Sequence, residues 1–224
     1  MNRVRRIDDR TPVRRVLISV SDKSELETLV PGLMAVEGLV VYSTGGTYTR
    51  IREILGDGAP GRLKQVSEYT GQPEMQGGLV KTLDYRIYLG ILSEPHNEAH
   101  EQDRLRLEAD LIDMVVVNLY PFRSVSSRSD ADAEDARGNI DIGGPCMLRA
   151  AAKNYLRVAA VCDPGDYSSL IDELEENDGA TVLETRFRLA QKAFGHTARY
   201  DRAIAEYLCD RSPDEAFDPY EVVR

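Results

Sequence analysis

Residues 39–55, "LVVYSTGGTYTRIREIL", pass from a β-branched apolar run through two glycines into a segment of helical composition. "LVVYS" reads as a strand and "TGGTYTRIREIL" as a glycine turn feeding a helix. Glycine lets the backbone approach a ligand closely, and a helix N-terminus offers unpaired N–H groups to an anion. Thr44 and Thr47 add hydroxyl donors beside Gly45 and Gly46. No Lys-Ser/Thr pair follows at P-loop spacing, so the stretch is not a P-loop. Taken alone it fits a plain turn as well as a phosphate site.

The alternation extends in both directions. "RVLISV" (15–20) is a continuous apolar run suited to a strand buried on both faces. "SDKSELETLVPGLM" then turns helical, with Asp22 and Glu25 spaced as a capping box and Leu26, Leu29, Val30, Leu33 and Met34 on one stripe. Pro31 lies inside that stripe and predicts a kink or an early break. Further on, "RIYLGIL" and "DMVVVNLY" read as strands around a polar helix, "EAHEQDRLRLEADL". "SVSSRSDADAEDARG" (124–138) reads as a mobile Ser/Asp-rich loop. "GGPCMLRAAAKN" is a glycine turn into a helix with Pro145 near its first turn, and "RVAAVC" a further strand. "PGDYSSLIDELEEN" and "TRFRLAQKAFGHTARYDRAIAEYL" close the chain as helices.

Strands alternating with helices predict an α/β domain with a mostly parallel sheet covered on both faces. Residues 1–14 read as a basic tail with solvated arginines, 15–224 as a single domain, and about 164–210 as a helical extension. In such sheets ligands bind beyond the carboxyl ends of the strands. There lie Ser21 and Lys23 after the first strand, Thr44 to Thr47 after the second, and Asn118 and Tyr120 after "MVVV".

Composition narrows the function. The chain has 224 residues, 42% apolar and 29% charged, as in an ordinary globular protein. No apolar run approaches the ~18 residues of a membrane helix, and the basic N-terminus lacks the apolar segment of a signal peptide. A net charge of −10 argues against a general nucleic-acid binder. An anionic ligand would therefore need a locally positive pocket in an acidic protein. His96, His100 and His196 show no metal-ligand spacing, so no metal is expected. Cys146, Cys162 and Cys209 share no CxxC spacing and read as reduced core thiols, which points to the cytosol.

Four further residues could carry chemistry. Lys81 follows two glycines in "QGGLVKTLDY", Tyr120 precedes Pro121, Asp141 precedes a glycine turn in "NIDIGGP", and Lys153 sits among alanines in "RAAAKN". Singly, the lysines are most simply solvated and Tyr120 a buried aromatic.

In order along the chain, "SVSDK", "STGGT", "GQPEM", "VKTL", "VVVNLYPF", "NIDIGGP", "RAAAKN" and "KAFGHTARYD" resemble the inosine monophosphate cyclohydrolase domain, one half of a bifunctional purine-synthesis enzyme. The resemblance implies a methylglyoxal-synthase-like, doubly wound fold and no cofactor. It implies a cytoplasmic homodimer in single-domain form, served by a separate formyltransferase. The implied reaction is dehydrative ring closure of 5-formamidoimidazole-4-carboxamide ribonucleotide to inosine monophosphate. It assigns catalysis to Lys81, Tyr120, Asp141 and Lys153. Lys81 would donate to the formyl oxygen, and Asp141 would accept from or orient the carboxamide. The two lysines, sharing a desolvated pocket, would lower each other's pKa. Substrate contacts would come from Ser21, Lys23, Thr44, Gly45, Gly46, Thr47, Thr82, Asn118, Ile142 and Gly143. The usual pattern before and after Lys81 is changed here: an arginine is Leu79, a histidine Asp84 and a proline Tyr85. Either another cation such as Arg50 or Arg86 fills the arginine's place, or the pocket is retuned. The alternative is a non-catalytic nucleotide- or phosphate-binding regulatory domain of the same fold. Methylglyoxal synthase is a more distant rival.

Overall fold

The computed structural model describes residues 3–56, 61–73, 75 and 80–223. Its central sheet contains β2 (Arg15–Val20), β3 (Val40–Ser43), β4 (Leu63–Gln65), β5 (Met114–Asn118) and β6 (Ala159–Val161) in the order β4-β3-β2-β5-β6. Every pairing in it is parallel, with Val16 opposite Val41 on one side and Met114 on the other.

The strands alternate cleanly between two cores. Val16, Ile18, Val41, Met114 and Val116 face one layer with α1 (Leu26–Ala35), α2 (Gly45–Leu55) and α9 (Tyr167–Glu176). Leu17, Tyr42, Val115 and Val117 face the other with α4 (Tyr85–Leu92), α8 (Gly143–Lys153) and α10 (Leu183–Cys209). A doubly wound parallel sheet follows, as the alternation predicts. Its strand order reverses between β2 and β5, which opens a crevice at their carboxyl ends.

Several local expectations are corrected. "RIYLGIL" is not a strand but α4: Ile87 and Ile91 share a buried face at helical spacing, and Asp84 caps the helix by accepting the Arg86 N–H at 2.8 Å. The Ser/Asp-rich stretch contains the end of α6 (Phe122–Ser126) and all of α7 (Ala133–Gly138), the latter started by an Asp132–Asp135 capping box. α1 runs on through Pro31 to Ala35 without a break. Asp22 and Glu25 form no capping box; Asp22 instead accepts the Ser24 N–H at 2.9 Å. Of the three free thiols only Cys162 is buried, and burial pushes its pKa up to about 11.

The N-terminal stretch is tied to the rest of the domain. The arginines of the N-terminal stretch are exposed, yet β1 (Arg10–Pro12) pairs antiparallel with β7 (Ala180–Val182), a short strand inside the stretch expected to be helical. The fully buried Arg186 pins them by donating to the carbonyls of Asp8, Tyr155 and Thr181. At the amino edge of the sheet a buried Arg157–Asp113 pair at 2.8 Å is completed by the N–H groups of Arg14 and Arg15. Among the described residues no helix is long and apolar enough to cross a membrane.

Candidate active site

A cleft of about 330 Å³ occupies the β2/β5 switch point. Its walls come from the end of β2, the first turn of α2, the 80–83 turn, the residues after β5, and the connection from α7 into α8.

One end of the cleft is built to hold an anion. Thr44, between β3 and α2, is extended, and α2 starts at Gly45 with φ of 46°, a value that favours glycine. The N–H groups of Thr47 and Tyr48 already bond to the Thr44 carbonyl, and Gly45 and Gly46 are exposed. Lys23 and Lys81 converge here: a Cβ on Gly45 would lie 3.8 Å from Lys81 Nζ, and one on Gly46 would lie 3.8 Å from Lys23 Cε. Neither lysine has an ion-pair partner among the described residues. Two cations over a helix N-terminus form a positive pocket in a protein of net charge −10. The hydroxyls of Ser19 and Thr44 stand 3.1 Å apart at the same place. Gly45 itself lines an adjoining cavity of about 250 Å³, which shares Thr44 and Lys81 with the cleft.

The other end holds a carboxylate. Asp141 lies between α7 and α8, and its Oδ1 accepts the Gly144 N–H at 2.8 Å. Burial raises its pKa; the backbone N–H groups of Gly144 and Tyr120 and the charge of Lys81 offset part of that rise. The fit is tight: a Cβ on Gly144 would lie 2.6 Å from Asp141 Oδ2 and 2.8 Å from Leu119 Cδ2. Thr82 is buried against the same helix start, its Oγ1 2.5 Å from where a Cβ on Gly143 would stand. Val80, next to Lys81, adopts φ of 53°, a strained value for a β-branched residue. Tyr120 is 48% exposed and lines the cleft, so it is not a core aromatic. Ile142, 60% exposed, flanks Asp141.

The chain can now be set beside known proteins. The profile of the MGS-like domain matches residues 28–146. The chain belongs to the MGS-like domain family. A second profile, the AICARFT/IMPCHase bienzyme, matches residues 151–223. The bifunctional purine biosynthesis protein PurH of Ruminiclostridium cellulolyticum is 42% identical over 205 residues, 92% of this chain. PurH of Acidithiobacillus ferrooxidans is 43% identical over 202 residues, 90% of this chain. The chain spans 38% of the length of each. The crystal structure of ForH superposes with a TM-score of 0.75 at 33% identity, covering 88% of this chain and 99% of that one. The resemblance read from eight short motifs is thus borne out, as is the fold it implied.

In this MGS-like domain the anticipated residues divide. Ser21, Lys23, Thr44, Gly46, Thr47, Lys81, Thr82, Asn118, Tyr120, Asp141, Ile142 and Gly143 all line the cleft. Thr47 and Asn118 spend their side chains on the backbone around the end of β2. The buried Thr47 hydroxyl accepts the Val20 N–H at 3.1 Å and donates to the Val20 carbonyl at 3.0 Å, so it ties α2 to β2. The Asn118 amide is spent on the backbone of Ser21 and Asp22.

Lys153 does not join the group. It is the exposed last residue of α8, and at ~1.5 Å per residue the helix carries it about 15 Å along the axis from Gly143. It therefore shares no pocket with Lys81. Neither proposed stand-in for the missing arginine reaches the cleft. Arg50 is paired with Glu27 and Glu53, and Arg86 donates to the Tyr69 carbonyl at 3.0 Å. Leu79 lies outside the described residues. Asp84 is explained by its capping role in α4. Sequence reading passed over Ser19 as a ligand group; its spacing of two from Ser21 at a strand end puts both on one face and was the available signal.

Proposed function

We propose that the chain is an inosine monophosphate cyclohydrolase, closing the second ring of the purine from 5-formamidoimidazole-4-carboxamide ribonucleotide. The observation that carries this reading is Lys81, set between the bare N-terminus of α2 and the half-buried Asp141. One cleft thereby offers an anion cradle and an acid–base pair. The 5′-phosphate sits on the Gly45 and Gly46 N–H groups, with Lys23, Ser19, Ser21 and Thr44 around it.

Both reacting groups belong to one molecule, so the protein's work is orientation and proton transfer. The carboxamide nitrogen bonds to the formyl carbon, and the formyl oxygen takes a proton from Lys81 to become a hydroxyl. Asp141 accepts a proton that the nitrogen loses. The formamido nitrogen then gives up its proton and forms a C=N bond to the same carbon as the C–O bond breaks, and a second proton reaches the hydroxyl, which leaves as water. The two protons lost, one from each nitrogen, equal the two gained by oxygen, and Tyr120, at the cleft wall, relays them between Asp141 and Lys81. A positioned donor to a developing oxyanion is worth ~2.7–4 kcal/mol, and acid–base help about 10²–10⁴-fold.

The same reading makes the protein a cytoplasmic homodimer whose substrate is supplied by a formyltransferase activity. The rings of Phe187 and Phe194, 46% and 40% exposed on α10, support self-association. A spectrophotometric ring-closure assay, run beside calorimetric binding of inosine monophosphate, tests the function. Ring closure at enzymatic rates is expected. Nucleotide binding without turnover would replace it with a regulatory domain, and neither would remove it.

A further inference from the structure

Asp141 sits on the short connection between α7 and α8, and its backbone is held from behind by α10. The Tyr200 hydroxyl accepts the Asp141 N–H at 2.8 Å and donates to the Asn139 carbonyl at 3.2 Å. One oxygen thus satisfies a donor and an acceptor two residues apart on the same connection. The Tyr200 ring is buried and meets Phe122 edge-on, with centroids 6.3 Å apart at 71°. Phe122 stands two residues after Tyr120. A single side chain therefore braces the two segments that present Asp141 and Tyr120 to the cleft, without lining the cleft itself.

We propose that Tyr200 is a positioning residue whose hydroxyl fixes where Asp141 presents its carboxylate. The inference rests on the proton-acceptor role given to Asp141 above. The anion cradle is built from α2, Lys23 and the end of β2, none of which Tyr200 bonds. Its loss should therefore act on turnover and spare affinity. A reacting group misplaced by about 1 Å can cost ~10²-fold in rate.

Tyr200→Phe keeps the ring and removes only the oxygen. Tyr207→Phe is the control: Tyr207 also packs on Phe122, with centroids 5.5 Å apart, and its hydroxyl reaches only the Asp132 carbonyl at 3.5 Å. Amide hydrogen exchange over residues 139–144 is expected to quicken about 10-fold in Tyr200→Phe, the worth of one hydrogen bond, and to stay unchanged in Tyr207→Phe. In ring closure, kcat should fall roughly 10- to 100-fold with KM within about threefold. In an Asp141→Asn background, Tyr200→Phe should cost less than about threefold more, because the two act as a unit. Unchanged exchange would overturn the proposal. So would a rise in KM that accounts for the loss, or the full penalty in the Asp141→Asn background. Exchange is read without substrate. An inactive wild type would therefore reject the proposed reaction, while the exchange result would still decide whether Tyr200 holds the connection.

Discussion

Asn118 and Asp22, 96 residues apart, are joined by two hydrogen bonds: Asn118 Oδ1 accepts the Asp22 N–H at 2.8 Å, and Nδ2 donates to the Asp22 carbonyl at 2.8 Å. Oδ1 also takes the Ser21 N–H at 2.7 Å. The last residue of β5 thereby shapes the turn after β2 that carries Lys23. Asn118→Asp keeps the acceptor but sets a second oxygen against the Asp22 carbonyl. Stability should fall by about 1–3 kcal/mol, since a buried hydrogen bond is lost without replacement. Inosine monophosphate affinity should fall with it. Denaturant melts and calorimetry check both, and an unchanged affinity would free Lys23 from any dependence on Asn118.

The raised pKa of Asp141 has a sign that can be tested. Burial makes the folded protein bind a proton here more readily than the unfolded chain does. Stability is therefore lost as pH rises from the unfolded value, ~3.9, through the raised folded one. At neutral pH the full penalty is present. Asp141→Asn, which keeps an oxygen for the Gly144 N–H, should raise Tm at pH 7. That advantage should vanish as the pH falls below the unfolded value of ~3.9, where the carboxyl is protonated in both states. Turnover should drop roughly 10²–10⁴-fold in the same variant. A lower Tm at pH 7 would mean that Lys81 and the N–H groups outweigh burial.

Gly144→Ala tests how closely α8 seats against the carboxylate. The added methyl would stand 2.6 Å from Asp141 Oδ2, and Leu119 closes the other side at 2.8 Å. Something must move, and the lone exposed-side option is the carboxylate. Ring closure should fall at least about 10²-fold, the cost of an ångström-scale displacement, with nucleotide affinity little changed. Wild-type kcat would show that Asp141 tolerates the shift and acts less directly.

Much of this arrangement was readable before any coordinates. "RVLISV", "LVVYS" and "DMVVVNLY" are apolar on both faces because helices cover both sides of the sheet, and that composition marks parallel strands. "RIYLGIL" reads as a strand because a short, mostly branched and aromatic run suits a strand and a buried helix equally. The deciding signal was Asp84 as a cap, two residues upstream. The cleft residues were found because turns at the carboxyl ends of parallel strands converge by topology. Their roles were less legible. Whether Thr47 or Asn118 faces ligand or backbone depends on partners 27 and 96 residues away. Lys153 lies outside this chain's cleft because a motif records sequence spacing, whereas a helix converts twelve residues beyond Asp141 into distance.

That distance separates the two lysines experimentally. Lys81 borders both the helix N-terminus and Asp141, so Lys81→Ala should remove a charge from the phosphate end and the proton donor from the reacting end. A folded protein with nucleotide affinity weakened about 10- to 100-fold and ring closure near the uncatalysed rate is expected. Lys153→Ala, on an exposed helix end at the opposite edge of the sheet, should keep its nucleotide affinity and lose far less turnover. Lysines that act together at the reacting atoms would instead give similar losses in kcat, with the double variant no worse than either. Matching losses would therefore place Lys153 at the chemistry, by a contact that a second protomer would have to make.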